Sequence, residues 1–258
     1  MSLRFIHAAD LHLGSPARGV RSLPESVRKR LLEAPYRAFA MLVQTAVTEQ
    51  VDFVLLAGDI FDQANPSIKA RVRLMEGLSR LGEAGINVFI CLGNHDPRRG
   101  EGFLSSLPQH VHVFSDHQVE RIPFYKEGKL CAAIYGISYA TPQVTENLAI
   151  KFKRDGEEPV AIGLLHTNCG GIDGHDHYAP STVGDLLQAG FDYWALGHVH
   201  TRQVMHQYPF IVYPGSLQGR HINEQGARGF YVVEVADNKT IRLHFKEAAF
   251  FRWETGPM

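Results

Sequence analysis

Five short apolar segments of this chain end in a similar way, and this repetition constrains the fold more than any other feature. The clearest is 51–57, a nearly all-apolar run followed by Gly58 and Asp59. Such a run is typical of a strand buried on both faces of a sheet. Each of the other four also ends in a side chain able to bind metal, mostly after a Gly or another small residue. Because ligands gather at the carboxyl ends of strands in α/β sheets, the pattern predicts one site built from five strand ends.

The side chains at these strand ends are carboxylates, an amide and imidazoles. They are Asp10, His12, Asp59, Asn94, His166, His198 and His200. Asp10 and His12 are two residues apart, so an extended backbone points both to the same side. A single Gly-Asp pair is more often a turn and a helix N-cap, and a single strand-end His is more often structural. Five such ends together favour a metal site over these alternatives.

Seven ligands are too many for one tetrahedral zinc ion. They suit two cations that share a carboxylate, ~3.5–4 Å apart, an arrangement that clamps the attacking and leaving oxygens of a phosphoryl displacement. Each cation also lowers the pKa of a bound water, so that hydroxide exists at neutral pH. The mixed oxygen and imidazole ligands leave Mn, Fe, Zn or Co open, while Mg is less natural opposite four imidazoles.

The composition sets limits on the class of protein. The chain has 258 residues, 45% hydrophobic and 21% charged, which is enough for one large α/β domain. Its net charge of −1 does not indicate a strongly basic nucleic-acid-binding domain, so any contact with DNA would rely on local patches. Neither a leader nor an apolar run of roughly 20 residues is present, so we expect a cytoplasmic protein with no membrane association. Cys91, Cys131 and Cys169 have no spacing that suggests a disulfide or thiolate zinc site.

Strands and helices alternate through most of the chain. Periodicity and capping residues predict helices at 25–33, from Pro35 to about Val47, at 66–83, at 143–153 and from a Ser181 cap to Gly190. Residues 104–138 contain short β-like runs, including 111–114, and we place the start of a second sheet there. Further strands are expected at 210–213, 229–235 and 240–248. The predicted fold class is α/β, a four-layer α/β/β/α sandwich of two mixed sheets flanked by helices, in one domain over 1–248.

The strand-end motifs, taken in order, are D-x-H, G-D, G-N-H-D, H and G-H-x-H. This set resembles the calcineurin-like metallophosphoesterase superfamily, and the likeness covers roughly Phe5 to Phe245. The stretches 9–14, 58–62 and 213–216 look like the DNA-repair exonuclease branch, which is SbcD-like. Three shorter patches, at 165–171, 177–180 and 218–222, are most similar to the YhaO-type bacterial exonucleases.

The resemblance implies roles that spacing alone does not assign. Asp10, His12, Asp59 and His200 would hold the first metal, with Asp59 bridging, and Asn94, His166 and His198 would complete the second. His95 would stabilise the transition state and protonate the leaving 3′ oxygen. Asp62 would orient His95, at a position where many relatives carry His; a charge at a helix N-terminus is the alternative for Asp62. The resemblance also places Arg220 and His221 near the active site. Arg18, Arg98 and Arg99 are candidate substrate contacts because they follow two of the motifs, and a solvated face is the alternative for them.

The predicted function is therefore a metal-dependent phosphodiesterase acting on DNA, an exonuclease or endonuclease. A hydroxide bridging two metal ions, for which Mn²⁺ is the first choice, would attack phosphorus in line. The alternatives are a small-molecule or cyclic-nucleotide phosphodiesterase or phosphatase of the same fold, and a non-catalytic binding scaffold. The resemblance further implies DNA ends, an SMC-like coiled-coil ATPase and a second copy of the chain as partners. We expect 249–258 to begin a linker to a capping domain absent here, so that the chain would be a truncated catalytic domain; a minimal enzyme is the alternative.

Overall fold

The computed structural model of the protein describes residues 2–15, 23–98, 106–171 and 178–254. These residues form twelve strands: β1 (Leu3–Ala8), β2 (Phe53–Ala57), β3 (Asn87–Cys91), β4 (Val111–Val113), β5 (Glu120–Lys126), β6 (Lys129–Gly136), β7 (Val160–His166), β8 (Tyr193–Gly197), β9 (Gln203–Gln207), β10 (Phe210–Tyr213), β11 (Gly229–Val235) and β12 (Ile241–Glu247). The three α-helices are α1 (Glu25–Thr48), α2 (Ile68–Glu83) and α3 (Val183–Gln188). None of the described helices is both long and apolar enough to cross a membrane.

The strands form two mixed sheets of six strands each. The first has the order β12–β11–β1–β2–β3–β4, with β1 to β4 parallel and β11 and β12 antiparallel at one edge. The second has the order β5–β6–β7–β8–β10–β9, with the four central strands parallel and both edge strands antiparallel. The parallel strands of each sheet therefore deliver their carboxyl ends to one edge.

Three apolar cores hold the layers together. Between the sheets, Phe5, Phe53 and Leu55 of the first sheet pack with Ile162 and Tyr193 of the second. A second core joins the outer face of the first sheet to α1 and α2, and a third joins the outer face of the second sheet to α3. Apolar burial on both faces explains why the central strands carry continuous apolar runs. The predicted α/β/β/α sandwich is confirmed.

Helix α1 differs from the expectation of two helices divided before Pro35. It runs without interruption from Glu25 to Thr48, with Pro35 in its interior. Proline removes one backbone hydrogen bond from a helix, but its fixed φ is helical. Leu31 and Ala34 before the proline are buried, and Tyr36 and Phe39 after it pack into the core beneath the first sheet. This burial on both sides offsets the lost hydrogen bond.

Residues 143–153 do not form the predicted helix; the structure has only one turn of 3₁₀ helix, Ala149–Lys151. The Asn147 amide explains the difference, because its Oδ1 accepts the Ala149 N–H and its Nδ2 donates to Asp185. Local side-chain hydrogen bonds of this kind compete with helix formation. Helix α3 is capped by Thr182, which forms a capping box with Asp185, rather than by Ser181.

Strand β4 belongs to the first sheet, so placing 111–114 at the start of the second sheet was wrong. It pairs with β3 in parallel, through Val88 with Val111 and Ile90 with Val113. The second sheet begins with the β5–β6 hairpin instead. Strand β9, at the opposite edge of that sheet, was not predicted. Its residues are half-buried or exposed, and its sequence, QVMHQ, lacks the continuous apolar run that identifies the central strands.

Buried His7 is expected to make folding stability depend on pH. Its Nδ1 lies 2.9 Å from the Tyr193 hydroxyl and its Nε2 lies 3.1 Å from the Leu196 carbonyl oxygen. Burial lowers the pKa of His7 to about 3, although the Leu196 hydrogen bond opposes this. The unfolded chain binds the proton near pH 6.5, so the stability from neutral His7 is complete above that pH and is lost as the pH falls towards 3.

The slope from one such histidine reaches about 1.4 kcal/mol per pH unit. We therefore expect His7→Gln to flatten the dependence of unfolding free energy on pH between pH 6 and pH 4, measured by urea unfolding in EDTA. The matched control is His244→Gln, which changes an exposed histidine on β12. Parallel curves for all three proteins would show that His7 does not control this dependence.

Candidate metal centre

All seven predicted ligands lie together where the carboxyl ends of the two sheets meet. Asp10 and His12 follow β1, Asp59 follows β2 and Asn94 follows β3. From the second sheet, His166 ends β7, and His198 and His200 follow β8. Contacts within the cluster join the two sheets: the His198 N–H donates to both Asp10 carboxylate oxygens at 3.2 Å, and His166 Nε2 lies 3.1 Å from Asn94 Oδ1. Within the second sheet, the His166 and His198 rings are 5.1 Å apart.

Four of these ligands have an unusual backbone. Asp10, His12, Asp59 and His198 have φ values of 51°, 44°, 51° and 100°, in the region that non-glycine residues rarely occupy. Short backbone hydrogen bonds hold these turns, since the His12 N–H donates to the Asp59 carbonyl at 2.9 Å and the Asp10 N–H to Gly58 at 3.1 Å. Backbone strain of this kind clusters at functional sites.

One half of the cluster consists of Asp10, His12 and His200. One ligand atom from each lies within 4.8 Å of the others. His12 Nε2 and His200 Nε2 are 3.3 Å apart, and His200 Nε2 is 3.9 Å from Asp10 Oδ1. His200 Nδ1 lies 2.7 Å from Glu224 Oε1. A carboxylate only accepts, so the His200 proton is on Nδ1 and its Nε2 lone pair faces the cluster.

The other half lies around His166. Its Nδ1 is 2.9 Å from the Ala57 carbonyl oxygen, which places the proton on Nδ1. The Nε2 lone pair then points at Asn94 Oδ1, 3.1 Å away, and at Asp59 Oδ2, 3.6 Å away. Asp59 also lies 3.8 Å from His12 Nε2, so it stands between the two halves.

In the His166 half, the Nε2 lone pair faces the Asn94 and Asp59 oxygens with no proton between them, and in the other half the Nε2 atoms of His12 and His200 face each other at 3.3 Å. Burial lowers the pKa of both His12 and His166, which favours neutral imidazoles with a free lone pair. Burial and the nearby Asp59 carboxylate raise the pKa of Asp10 well above its ordinary value. Cations in the two halves would satisfy the facing lone pairs and neutralise the adjacent carboxylates. The donor set therefore fits two divalent metals.

Three strand-end glycines leave room for the His166 ring. A Cβ on Gly58 would lie 2.2 Å from His166 Nδ1, one on Gly93 2.9 Å from its Cε1, and one on Gly197 3.0 Å from its Nδ1. The glycine in each of these three motifs thus has a steric reason that the sequence pattern alone does not reveal.

Gly58→Ala is expected to remove cation binding from the His166 half of the cluster. Gly58 has a φ of +84°, and its new methyl group would displace the ligand ring. Gly85→Ala is the matched control, because Gly85 has a φ of +73° but open space around it. Each change costs about 1–2 kcal/mol of backbone strain. We expect only Gly58→Ala to bind fewer Mn²⁺ ions per chain, measured by mass spectrometry of the equilibrated protein; equal metal content in both variants would contradict the steric argument.

His95 lies beside the cluster, with about a third of its side chain exposed. Its main-chain N–H donates to Asp59 Oδ1 at 3.0 Å. Its ring Nδ1 is 2.7 Å from the main-chain carbonyl of Asp62, so the proton is on Nδ1. Nε2 lies 4.0 Å from Asp59 Oδ2. The ring is thus held at the accessible edge of the cluster, although His12, Asp62 and His95 could also form a ligand trio.

Asp62 contacts His95 in a different way from the one predicted. Its carbonyl oxygen, rather than its carboxylate, accepts from the ring, and the carboxylate is 4.0 Å from His95 Nδ1. The carboxylate accepts from Arg220 at 2.6 Å and lies 3.3 Å from His12 Nδ1, without a hydrogen bond to that atom. Helix α2 is capped by Ser67 and begins at Ile68, so Asp62 is outside its first turn.

The predicted substrate contacts are placed differently from one another. Arg98 donates to the Phe114 carbonyl at 2.6 Å, so its guanidinium is bound to the backbone beside β4. Arg220 is mostly buried in its ion pair with Asp62, and His221 is half-buried 3.3 Å from Glu224. Arg18 and Arg99 lie outside the described residues. A role for these side chains in substrate binding stays a prediction.

Two buried carboxylates near the site were missed from the sequence. Asp96 accepts the Ile60 and Gly93 N–H groups at 2.6 and 2.9 Å and so ties the β2 and β3 loops together. Burial and Asp59 raise the pKa of Asp96 to about 8 despite these hydrogen bonds. Burial opposes ionisation of Glu224, but its contacts with His200 and Arg220 prevail and lower its pKa to about 2. Asp96 is the acidic residue of the G-N-H-D motif, and its place in that motif was a signal that could have identified it. No sequence feature pointed to Glu224.

A two-sheet sandwich with these ligands at its strand ends defines a metallophosphoesterase. The chain belongs to the calcineurin-like phosphoesterase family, whose sequence profile matches residues 3–202. Its clusters of His and Asp side chains are suited to two metals.

Curated relatives agree with this assignment. The chain is 46% identical to the uncharacterized metallophosphoesterase YhaO of Bacillus subtilis over 253 residues, 98% of this chain and 62% of YhaO. It is 27% identical to the DNA double-strand break repair protein Mre11 of Methanopyrus kandleri, over 97% of this chain and 58% of that protein. Mre11 of Sulfurisphaera tokodaii is 31% identical over 78% of this chain and 50% of its own length. The chain thus spans about half to three-fifths of these relatives.

Solved structures support the fold. GAP50 of Plasmodium superposes with a TM-score of 0.56 at 17% identity, covering 96% of this chain and 85% of that one. A dimetal phosphatase from Danio rerio gives a TM-score of 0.52 at 11% identity, covering 91% and 93%. Identities this low carry the architecture alone.

Proposed function

We propose that this chain is a metal-dependent phosphodiesterase that hydrolyses DNA. The placement of His95 is the observation that supports hydrolysis of a diester most directly. A DNA strand leaves as an alkoxide, which requires a proton. The His95 imidazole stands at the accessible edge of the cluster, oriented by the Asp62 carbonyl, where it can reach a phosphate and its leaving oxygen.

Asp10, His12, Asp59 and His200 would hold one cation in this proposal, and Asp59, Asn94, His166 and His198 would hold the other. When bound, the two cations activate water as the nucleophile and neutralise charge on the phosphate. Mn²⁺ fits the mixed imidazole and oxygen ligands. Asp59 would carry the charge shared by both halves. His95, in its imidazolium form with a proton on each ring nitrogen, would keep Nδ1–H on the Asp62 carbonyl and donate the Nε2 proton to the departing 3′ oxygen.

DNA as the substrate is supported by the Mre11 relatives, which are described as DNA double-strand break repair proteins. The matched region includes the strand ends that carry the ligands. The net charge of −1 favours a second candidate, a small diester or cyclic nucleotide, because it offers no general attraction to polyanions. An SMC-like ATPase partner and a homodimer stay predictions from the family resemblance.

The test is Mn²⁺-dependent hydrolysis of end-labelled single-stranded and double-stranded DNA, beside bis-p-nitrophenyl phosphate and the monoester p-nitrophenyl phosphate. We expect cleavage of DNA and of the diester, loss of both in EDTA and recovery when Mn²⁺ is restored. Cleavage of the small diester without DNA would move the substrate to the second candidate. A metal-loaded protein that hydrolyses none of them would overturn the proposal.

A further inference from the structure

The loop after β10 places a buried carboxylate against the metal centre. Glu224 is 5% exposed, and its Oε1 lies 2.7 Å from His200 Nδ1. Its Oε2 accepts the Arg220 main-chain N–H at 2.6 Å, which closes a tight turn within the loop. Glu224 has no part in the proposed reaction, yet it touches the ring nitrogen opposite the one that faces the cluster.

The Arg220 guanidinium connects this carboxylate to a second one. Its Nη1 donates to Asp62 Oδ1 at 2.6 Å, while its Nη2 lies 3.7 Å from Glu224 Oε1. The side chain is only 10% exposed. Asp62 and Glu224 each approach the Nδ1 of a cluster imidazole, at 3.3 Å from His12 and 2.7 Å from His200. Arg220 therefore links the two carboxylates that lie next to the Nδ1 atoms of His12 and His200, on the side of each ring that faces away from the cluster.

We infer that Glu224 and Arg220 are positioning residues for one cation, the one held by Asp10, His12 and His200; this inference rests on the proposed function. Glu224 keeps the His200 proton on Nδ1 and aims its Nε2 at the cluster. Arg220 holds Asp62 behind His12 and holds the loop that carries Glu224. A carboxylate behind a metal-binding imidazole raises its basicity and fixes its orientation, and removing it lowers metal affinity by about 10–100-fold.

This inference gives Arg220 a different task from substrate binding. The guanidinium is already paired with the half-buried Asp62 carboxylate and lies close to the buried Glu224 carboxylate, so it has little freedom to leave for a phosphate. The C-terminal segment holds the other side of the loop: Trp253 Nε1 donates to the Gly219 carbonyl at 3.1 Å, and Gln218 Nε2 donates to Phe251 at 2.8 Å. The loop is thus fixed from both sides, as a positioning element requires.

The experiment is Mn²⁺ binding by calorimetry and by electron paramagnetic resonance of free Mn²⁺, on wild type, Glu224→Gln and Arg220→Gln. Glu224→Gln keeps the shape of the side chain and removes its charge. We expect about 10–100-fold weaker binding of one Mn²⁺ with the other unchanged, and a smaller loss in the same step for Arg220→Gln. Excess Mn²⁺ should restore most of the hydrolysis of bis-p-nitrophenyl phosphate by Glu224→Gln, because the inference gives Glu224 a contact with His200 and none with substrate.

Glu158→Gln is the matched control. Glu158 is also a buried carboxylate paired with arginines, with Arg121 Nη2 at 2.8 Å and Arg154 Nε at 3.4 Å, but it lies outside the metal centre. We expect this variant to lower the unfolding midpoint and leave both Mn²⁺ steps unchanged.

Two results would overturn the inference: unchanged Mn²⁺ affinities in Glu224→Gln, or a loss of stability alone, as in the control. Fewer than two Mn²⁺ on wild type would also overturn it. A wild type that binds two Mn²⁺, weakens as expected in Glu224→Gln and leaves DNA intact would contradict the DNA substrate while supporting the positioning role.

Discussion

Asp59→Asn is expected to abolish metal-dependent hydrolysis, because Asp59 stands between the two halves of the ligand cluster. Its Oδ1 accepts the His95 main-chain N–H, and its Oδ2 faces His12 and His166 at 3.8 and 3.6 Å. Asparagine keeps the shape but removes the charge shared by both cations. We expect bound Mn²⁺ to fall from two ions to one or none and hydrolysis of bis-p-nitrophenyl phosphate to fall at least about 10³-fold, since a single electrostatic contact to the reacting group is already worth 10²–10³.

Asp192→Asn is the control for this change. Asp192 precedes β8, at the end of the strand opposite His198, and accepts the Ala161 N–H at 2.8 Å. It should retain both cations and its activity. If Asp59→Asn binds two Mn²⁺ per chain and hydrolyses bis-p-nitrophenyl phosphate at the wild-type rate, Asp59 is not the carboxylate shared by the two cations.

His95→Gln is expected to slow hydrolysis by about 10²–10⁴-fold with both Mn²⁺ ions still bound. The ring lies beside the cluster, with Nδ1 on the Asp62 carbonyl, Nε2 4.0 Å from Asp59 Oδ2 and about a third of the side chain exposed. If His95 donates a proton to the leaving oxygen, the loss must depend on the leaving group. The alkoxide of DNA needs the proton, whereas p-nitrophenolate does not, so we expect a larger loss for DNA than for bis-p-nitrophenyl phosphate.

The control is His117→Gln, which changes a largely exposed histidine outside the cluster and should have no effect. Metal content decides between two roles for His95. Loss of a Mn²⁺ ion from His95→Gln would identify it as a ligand, as part of the possible trio with His12 and Asp62. Equal losses for DNA and the small diester would contradict proton donation.

The layered fold could be predicted because its central strands are buried on both faces. Continuous apolar runs such as 53–57 identify such strands without any knowledge of their partners. Short edge elements could not be predicted in this way. Strand β4 has three half-buried residues and takes its place from pairing with β3, a contact between distant segments. Helix α1 passes through Pro35 because tertiary packing outweighs the local preference for a break.

The seven candidate ligands directly follow or end strands, a local pattern that can be recognised in the sequence, and the structure places all seven together. The residues that contact these ligands from outside the cluster show no such local pattern. Glu224 reaches His200 from a loop 24 positions away, and Asp96 ties two strand ends through main-chain N–H groups. Such contacts depend on how loops fold over the centre, which neither periodicity nor spacing encodes. The same limit explains why the Asp62 carbonyl, instead of its carboxylate, holds His95.

The left-handed backbone at Asp10, His12, Asp59 and His198 has a thermodynamic consequence for metal uptake. Each such residue costs of order 1–3 kcal/mol, and packing between the sheets meets this cost when the chain folds. The ligands are therefore pre-organised, so little of the free energy of cation binding is lost to ordering them. Metal affinity and the integrity of the inter-sheet core are coupled for this reason. A large-to-small substitution in that core, far from any ligand, should lower the affinity for the cations before it unfolds the protein.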